Sequence, residues 1–98
     1  MQDFKFKLMG MTWNVVGIEE DNVFGDGHHG LCNPRETTIY YHRADSKPQQ
    51  QNTLIHESLH AIEKTLDREF DEQDICGLAA GIHELIQDPV WLKAAKGK

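Results

Sequence analysis

The 98 residues carry a formal charge of −6, with 16 Asp and Glu against 10 Lys and Arg, and 39% of them are hydrophobic. That size and apolar share suit one small globular domain spanning residues 1–98 and leave no room for a second catalytic unit. The acidic balance argues against a phosphate-binding surface, so nucleic acid is an unlikely partner. No apolar run reaches the roughly 18 residues of a membrane span. The N-terminus, Met1-Gln2-Asp3-Phe4-Lys5-Phe6-Lys7, has no apolar signal core. Cys32 and Cys76 are too few and too far apart in sequence for a disulfide framework. The expectation is a soluble cytoplasmic protein with reduced thiols. Each cysteine is read as a small buried apolar residue, a ligand role for Cys76 being the alternative.

In chain order, Met-Thr-Trp-Asn-Val-Val-Gly-Ile at residues 11–18 is β-branched and aromatic with polar residues interleaved, which predicts a strand; a shorter one is expected over residues 4–8. Residues 19–27, acidic and glycine-bearing, read as a loop. An extended piece is expected over residues 28–32, then a turn at Asn33-Pro34-Arg35-Glu36 and a clear strand over residues 37–42. His28 and His29 invite a metal reading. Neighbouring strand residues point to opposite faces, so at most one of them faces any given site, and loop or edge histidines are the expectation.

Ser46-Lys47-Pro48-Gln49 has the form of a capping box, with Ser46 as N-cap and Pro48 in the first turn, opening a helix that runs to about Leu66. Ile55, Leu59, Ile62 and Leu66 make its apolar stripe, with Leu54, Ser58 and Ala61 as a smaller strip beside it. A second helix opens at the N-cap Asp71 and buries Ile75, Leu78, Ala79, Ile82 and Ile86. Asp88 caps a last short helix that begins Pro89-Val90-Trp91-Leu92. The expected class is α+β: a small antiparallel sheet of three or four strands packed against two helices.

Inside the first helix lies His56-Glu57-Ser58-Leu59-His60. Four residues advance a helix by about 400°, so the two imidazoles stand one turn apart on nearly the same side and can share one ion. Glu57 points about 100° away, where its carboxylate can reach an activated water rather than the metal. A zinc site needs a third protein ligand. Glu63 is too close along the same helix to turn back to the ion, although it can hold an imidazole. Glu72, at the edge of the second helix's buried stripe, is the favoured third ligand; Glu69, Asp71, His83 and Glu84 remain open.

The segment from Thr53 to Ile62, with the looser Glu72-x-x-Ile75-Cys76-x-Leu78-Ala79-x-x-Ile82, resembles the zincin metallopeptidases whose third ligand is glutamate. It looks most like the small ImmA/IrrE-like phage or prophage members, over residues 11–88. Ile75-Cys76 stands where that family often has Ala-Asn. The resemblance implies a minimal zincin-like fold and a hydrolase that cleaves peptide bonds through a zinc-activated water. It implies His56, His60 and Glu72 as ligands of one zinc ion and Glu57 as general base. An oxyanion donor is sought among Tyr40, Tyr41, His42 and His83, and the substrate is a peptide or protein that adds along a sheet edge. Three rivals remain: a zinc-stabilised interaction module that cleaves nothing, a SprT-like DNA-linked protease sharing the same helix motif, and a metal-free structural protein.

Overall fold

In the computed structural model, which describes residues 1–20, 23–25 and 27–97, the chain opens with two strands. They are β1 (Phe4–Leu8) and β2 (Met11–Ile18), paired antiparallel. Met9 and Gly10 close the hairpin with positive φ angles of 51° and 84°, a geometry whose twist matches that of the strands. β3 (Gly30–Asn33) and β4 (Thr38–His42) form a second antiparallel pair. In the turn between them Asn33 Oδ1 accepts the Glu36 amide at 3.2 Å. β3 thus starts at Gly30, leaving His28 and His29 before it. The loop expected over residues 19–27 includes Asp21, Asn22 and Asp26, which lie outside the described residues.

The four-stranded sheet has the order β1-β2-β4-β3. β2 and β4 run parallel, with Val15 beside Ile39 and Gly17 beside Tyr41, so the sheet is mixed rather than wholly antiparallel. The reason is topological: β4 returns between β2 and β3 rather than adding at the outside. β3 is left as an edge.

α1 (Lys47–Thr65) begins where expected, with Ser46 Oγ accepting the Gln49 amide at 3.3 Å. It stops at Asp67, whose φ of 53° is left-handed, while the Arg68 amide returns to the Glu63 carbonyl at 3.0 Å. α2 (Glu72–Gln87) is capped by Asp71, which accepts the Gln73 amide at 2.8 Å. α3 (Pro89–Lys96) is capped by Asp88 through the amides of Val90 and Trp91. Among the described residues no helix is long and apolar enough to cross a membrane.

The core is Trp13, Val15, Ile39, Tyr41 and Ala61, none more than 1% exposed, with Phe6, Leu8, Cys32 and Leu54 packed around it. The expected burial of α1 needs correction. Its most buried residues are Gln50, Thr53, Glu57, Ala61 and Glu63, whereas Ile55, Leu59 and Ile62 are half-buried and Leu66 is exposed. Helical phase explains the pattern: Gln50, Thr53, Glu57 and Ala61 lie on one side, and Ile55, Leu59 and Ile62 lie about half a turn away. The first face lies on the sheet and the second under α2, which packs against α1 from the other side.

Close approach of α1 to the sheet depends on Gly30. A Cβ there would run into the Thr53 methyl and stand 2.7 Å from the Tyr40 carbonyl and 3.4 Å from Glu57 Cγ. α2 buries only Ile75 and Ala79 completely; Leu78 and Ile86, expected in its buried stripe, are exposed because no further layer covers them.

Candidate metal centre

α1 carries His56 and His60 one turn apart, with ring centroids 5.0 Å from each other. α2 brings Glu72 across from the other side. Its Oε1 lies 2.9 Å from His56 Nε2 and its Oε2 lies 3.3 Å from His60 Nε2. One ligand atom from each of the three residues falls within 4.8 Å of the others, the one such group among the described residues. An ion with bonds of about 2.0–2.2 Å in tetrahedral geometry spaces its ligands at roughly 3.4 Å. The donors therefore fit a single divalent ion, and two imidazoles with a carboxylate suit its chemistry.

The orientation of His60 is fixed from behind. Its Nδ1–H donates to Glu63 Oε1 at 3.0 Å, which turns the Nε2 lone pair toward Glu72 and the cluster. Glu63 Oε2 accepts the Phe70 amide at 2.6 Å, and Phe70 directly precedes the cap of α2. Glu63 is 3% exposed, and these bonds, from His60 first and Phe70 second, lower its pKa below the ordinary carboxylate value. One carboxylate thus orients a ligand on α1 and ties down the start of the helix that bears Glu72. His56 is held more loosely, with Cys76 Sγ 4.0 Å from its Nδ1.

Glu57 lies toward the sheet, over Gly30, and is 8% exposed. Burial raises its pKa from 4.5 to about 7; His60 pulls it down and Glu72 pushes it up, both by smaller amounts. A carboxyl group poised there can exchange protons near neutrality. Cavities of about 350 and 320 Å³ flank the cluster, both lined by His28, Gly30, His56, Glu57 and Glu72. They follow β3, taking in Leu31 and Cys32 on one side.

Of the alternatives for the third position, Asp71 is committed to capping α2. His83 Nε2 lies 3.1 Å from Gln51 Oε1, on the seam between α1 and α2. Glu69 and Glu84 do not join the cluster.

Tyr40, Tyr41, His42 and His83 were expected to supply an oxyanion donor, and none of them lines the cleft. Tyr40 donates to Glu36, Tyr41 is occupied at the N-terminal segment, and His42 lies beside Asp45. The histidines outside the cluster that do line the cleft are His28 and His29. Loop or edge positions were expected for them, but the folding of that segment over the cluster was not.

Cys76 is exposed and borders the cleft, because its side of α2 is uncovered; this corrects the expectation that it is buried. Cys32, expected to be buried, is half-buried. Its burial, reinforced by the charge of Glu57, pushes the thiol pKa up to about 12.

Together these residues form a site consistent with a generic zincin-type metal centre. No family model, curated protein or solved structure matches the chain.

Proposed function

We propose that the chain is a minimal zinc-dependent metallopeptidase, a single domain related in design to the small ImmA/IrrE-like phage or prophage enzymes and working in the cytoplasm. The observation that carries this reading is the convergence of His56, His60 and Glu72 beside a buried glutamate that is not itself part of the cluster. His56 and His60 present Nε2, Glu72 presents its carboxylate, and Glu63 holds the His60 ring in place.

A bound zinc ion supplies Lewis acidity, lowering the pKa of water and polarising a carbonyl. Glu57 takes the proton from the attacking water and delivers it to the departing amine. Burial suits it to both roles, since it raises the carboxylate's proton affinity above the ordinary value. The peptide lies extended along the free edge of β3, bonding through its backbone, with its scissile carbonyl between Gly30 and Glu72.

The test is cleavage of a denatured-protein or peptide library by zinc-loaded protein, read by mass spectrometry, with Glu57→Gln as the control. Products from the parent and none from the variant, at equal zinc content, support the mechanism. Equal cleavage by both rejects it.

A second reading, a zinc-stabilised interaction module without activity, is favoured by one observation. Leu78, Leu85, Val90 and Trp91 on α2 and α3 are all more than 40% exposed, and surfaces of that kind mark binding faces. It requires that His56→Ala lower thermal stability while no substrate is cut by the parent.

A further inference from the structure

The two cavities that flank the cluster differ in charge. Of the residues lining them, Lys64 alone carries a fixed positive charge, and it borders only the cavity of about 320 Å³ on the side of Leu31 and Cys32. Helical spacing puts it there. His56, His60 and Lys64 recur at four-residue steps along α1, so the lysine stands on roughly the same side as the imidazoles, about 6 Å beyond His60 along the axis. β3 accompanies the helix in that direction: Gly30 lies against Thr53 and Glu57, whereas Leu31 and Cys32 share the cavity with His60 and Lys64. The ammonium group is close enough to Cys32 for its charge to oppose the rise in the thiol's pKa.

Lys64 sits in the last turn of α1, where a positive charge suits the free helix carbonyls. That accounts for a basic residue near the helix end but not for its place on the cleft. Asp67 and Glu69 border it outside the cleft, yet among the described residues no salt bridge takes up its ammonium group. The wall beside it is apolar, with Leu31 51% exposed. In a chain of net charge −6, whose cleft otherwise presents Glu57 and Glu72, such a group is placed to receive an incoming anion.

We propose that Lys64 sets the substrate class of the cleft, peptides that carry a carboxylate one or two residues from the scissile bond, by pairing with that carboxylate while the intervening residue lies against Leu31. This rests on the peptidase reading above. The spacing follows from the extended backbone, which advances about 3.4 Å per residue, so the step from His60 to Lys64 covers about two residues. An acidic side chain and the C-terminal carboxylate of a peptide offer the same chemistry, a charge-assisted hydrogen bond to the ammonium group. Lysine is a point charge on a flexible stem and accepts either. The first source makes the protein an endopeptidase with an acidic preference, the second a peptidase that trims chain ends.

The experiment measures binding as well as turnover. The zinc-loaded full chain is titrated, by NMR chemical shifts, with acetyl-Leu-Leu acid, acetyl-Leu-Asp amide and the uncharged acetyl-Leu-Leu amide; Glu57→Gln replaces the parent where mass spectrometry finds a probe cut. The expected result is that at least one acid binds roughly 5–10-fold more tightly than the uncharged amide, that Lys64→Met abolishes the difference and that Lys64→Arg keeps it. Preference for acetyl-Leu-Asp amide assigns the side chain, and preference for acetyl-Leu-Leu acid the chain end. Equal binding of all the probes overturns the proposal, as does a preference that survives Lys64→Met, which would seat the carboxylate on the ion instead.

The library digestion described above separates this proposal from the reading it rests on. Cut sites with no carboxylate at a fixed distance, unaltered by Lys64→Met, overturn the role of Lys64 and leave the peptidase standing. A Lys64-dependent preference in the titration, with no products from the library, upholds the carboxylate site and removes the peptidase.

Discussion

The two sides of α1 differ sharply. Toward the sheet, Trp13, Val15, Ile39, Tyr41 and Ala61 are at most 1% exposed and Gly30 lets the helix sit directly on β3. Toward α2 and α3, Leu78 is 52% and Val90 77% exposed, and only Ile75 and Ala79 of α2 are fully covered. The metal centre straddles this boundary: its two histidines ride on the well-packed helix, and its carboxylate comes from the loosely covered one. A site built this way has two metal-ligating side chains positioned by the well-packed helix and a third on a helix whose start Glu63 helps to hold.

Substitutions test that asymmetry. The largest effect is expected in the sheet half: Trp13→Ala empties the core and costs about 3–5 kcal/mol of unfolding free energy, measured by urea denaturation. Leu78→Ser, in the other half, should change stability by no more than about 0.5 kcal/mol. Equal losses would mean that α2 is as firmly packed as the sheet side.

At the boundary, Glu63→Gln is expected to weaken zinc affinity by roughly 10–100-fold in a competition titration. Both carboxylate oxygens of Glu63 accept hydrogen bonds, and an amide offers only one acceptor, so either His60 or Phe70 loses its partner. Unchanged affinity would show that His60 needs no support from behind.

Much of this was legible in the sequence where the chemistry is local. His56, Glu57 and His60 are close enough along one helix for spacing alone to define their geometry, and Ser46, Asp71 and Asp88 announce their helices by capping chemistry. Glu72 was the favoured third ligand, and the structure brings it to the histidines. The parallel pairing of β2 with β4 was not legible, because it joins strands with β3 between them in the chain and follows no local pattern. Nor was the buried face of α1. Hydropathy marks Ile55 and Leu59, whereas Gln50 and Glu63 are buried through hydrogen bonds to the Arg43 carbonyl and to His60 and Phe70.

Acid–base behaviour sharpens the comparison in the metal-free protein. Glu57 has a pKa of about 7 when folded and about 4.5 when unfolded, so the folded state holds the extra proton between those values. Its contribution is fully present below pH ~4.5 and is lost as pH rises through about 7. Melting temperature, corrected by the same series on Glu57→Gln, should fall across that window; a flat difference would place Glu57 in water.

The smallest effect is chemical. With its pKa pushed up to about 12, Cys32 should alkylate with iodoacetamide far more slowly at pH 8 than exposed Cys76, as peptide mapping would show. Equal rates would mean that the β3 side opens as readily as α2.

The most direct test of the account is the zinc content of purified protein beside that of His56→Ala, by elemental analysis after exhaustive dialysis. The account requires the variant to carry one ion per chain fewer than the parent, because the cluster loses one of its three donors. Equal zinc in the two proteins would contradict it, and would leave His56 and His60 as residues of a helix seam that holds no metal.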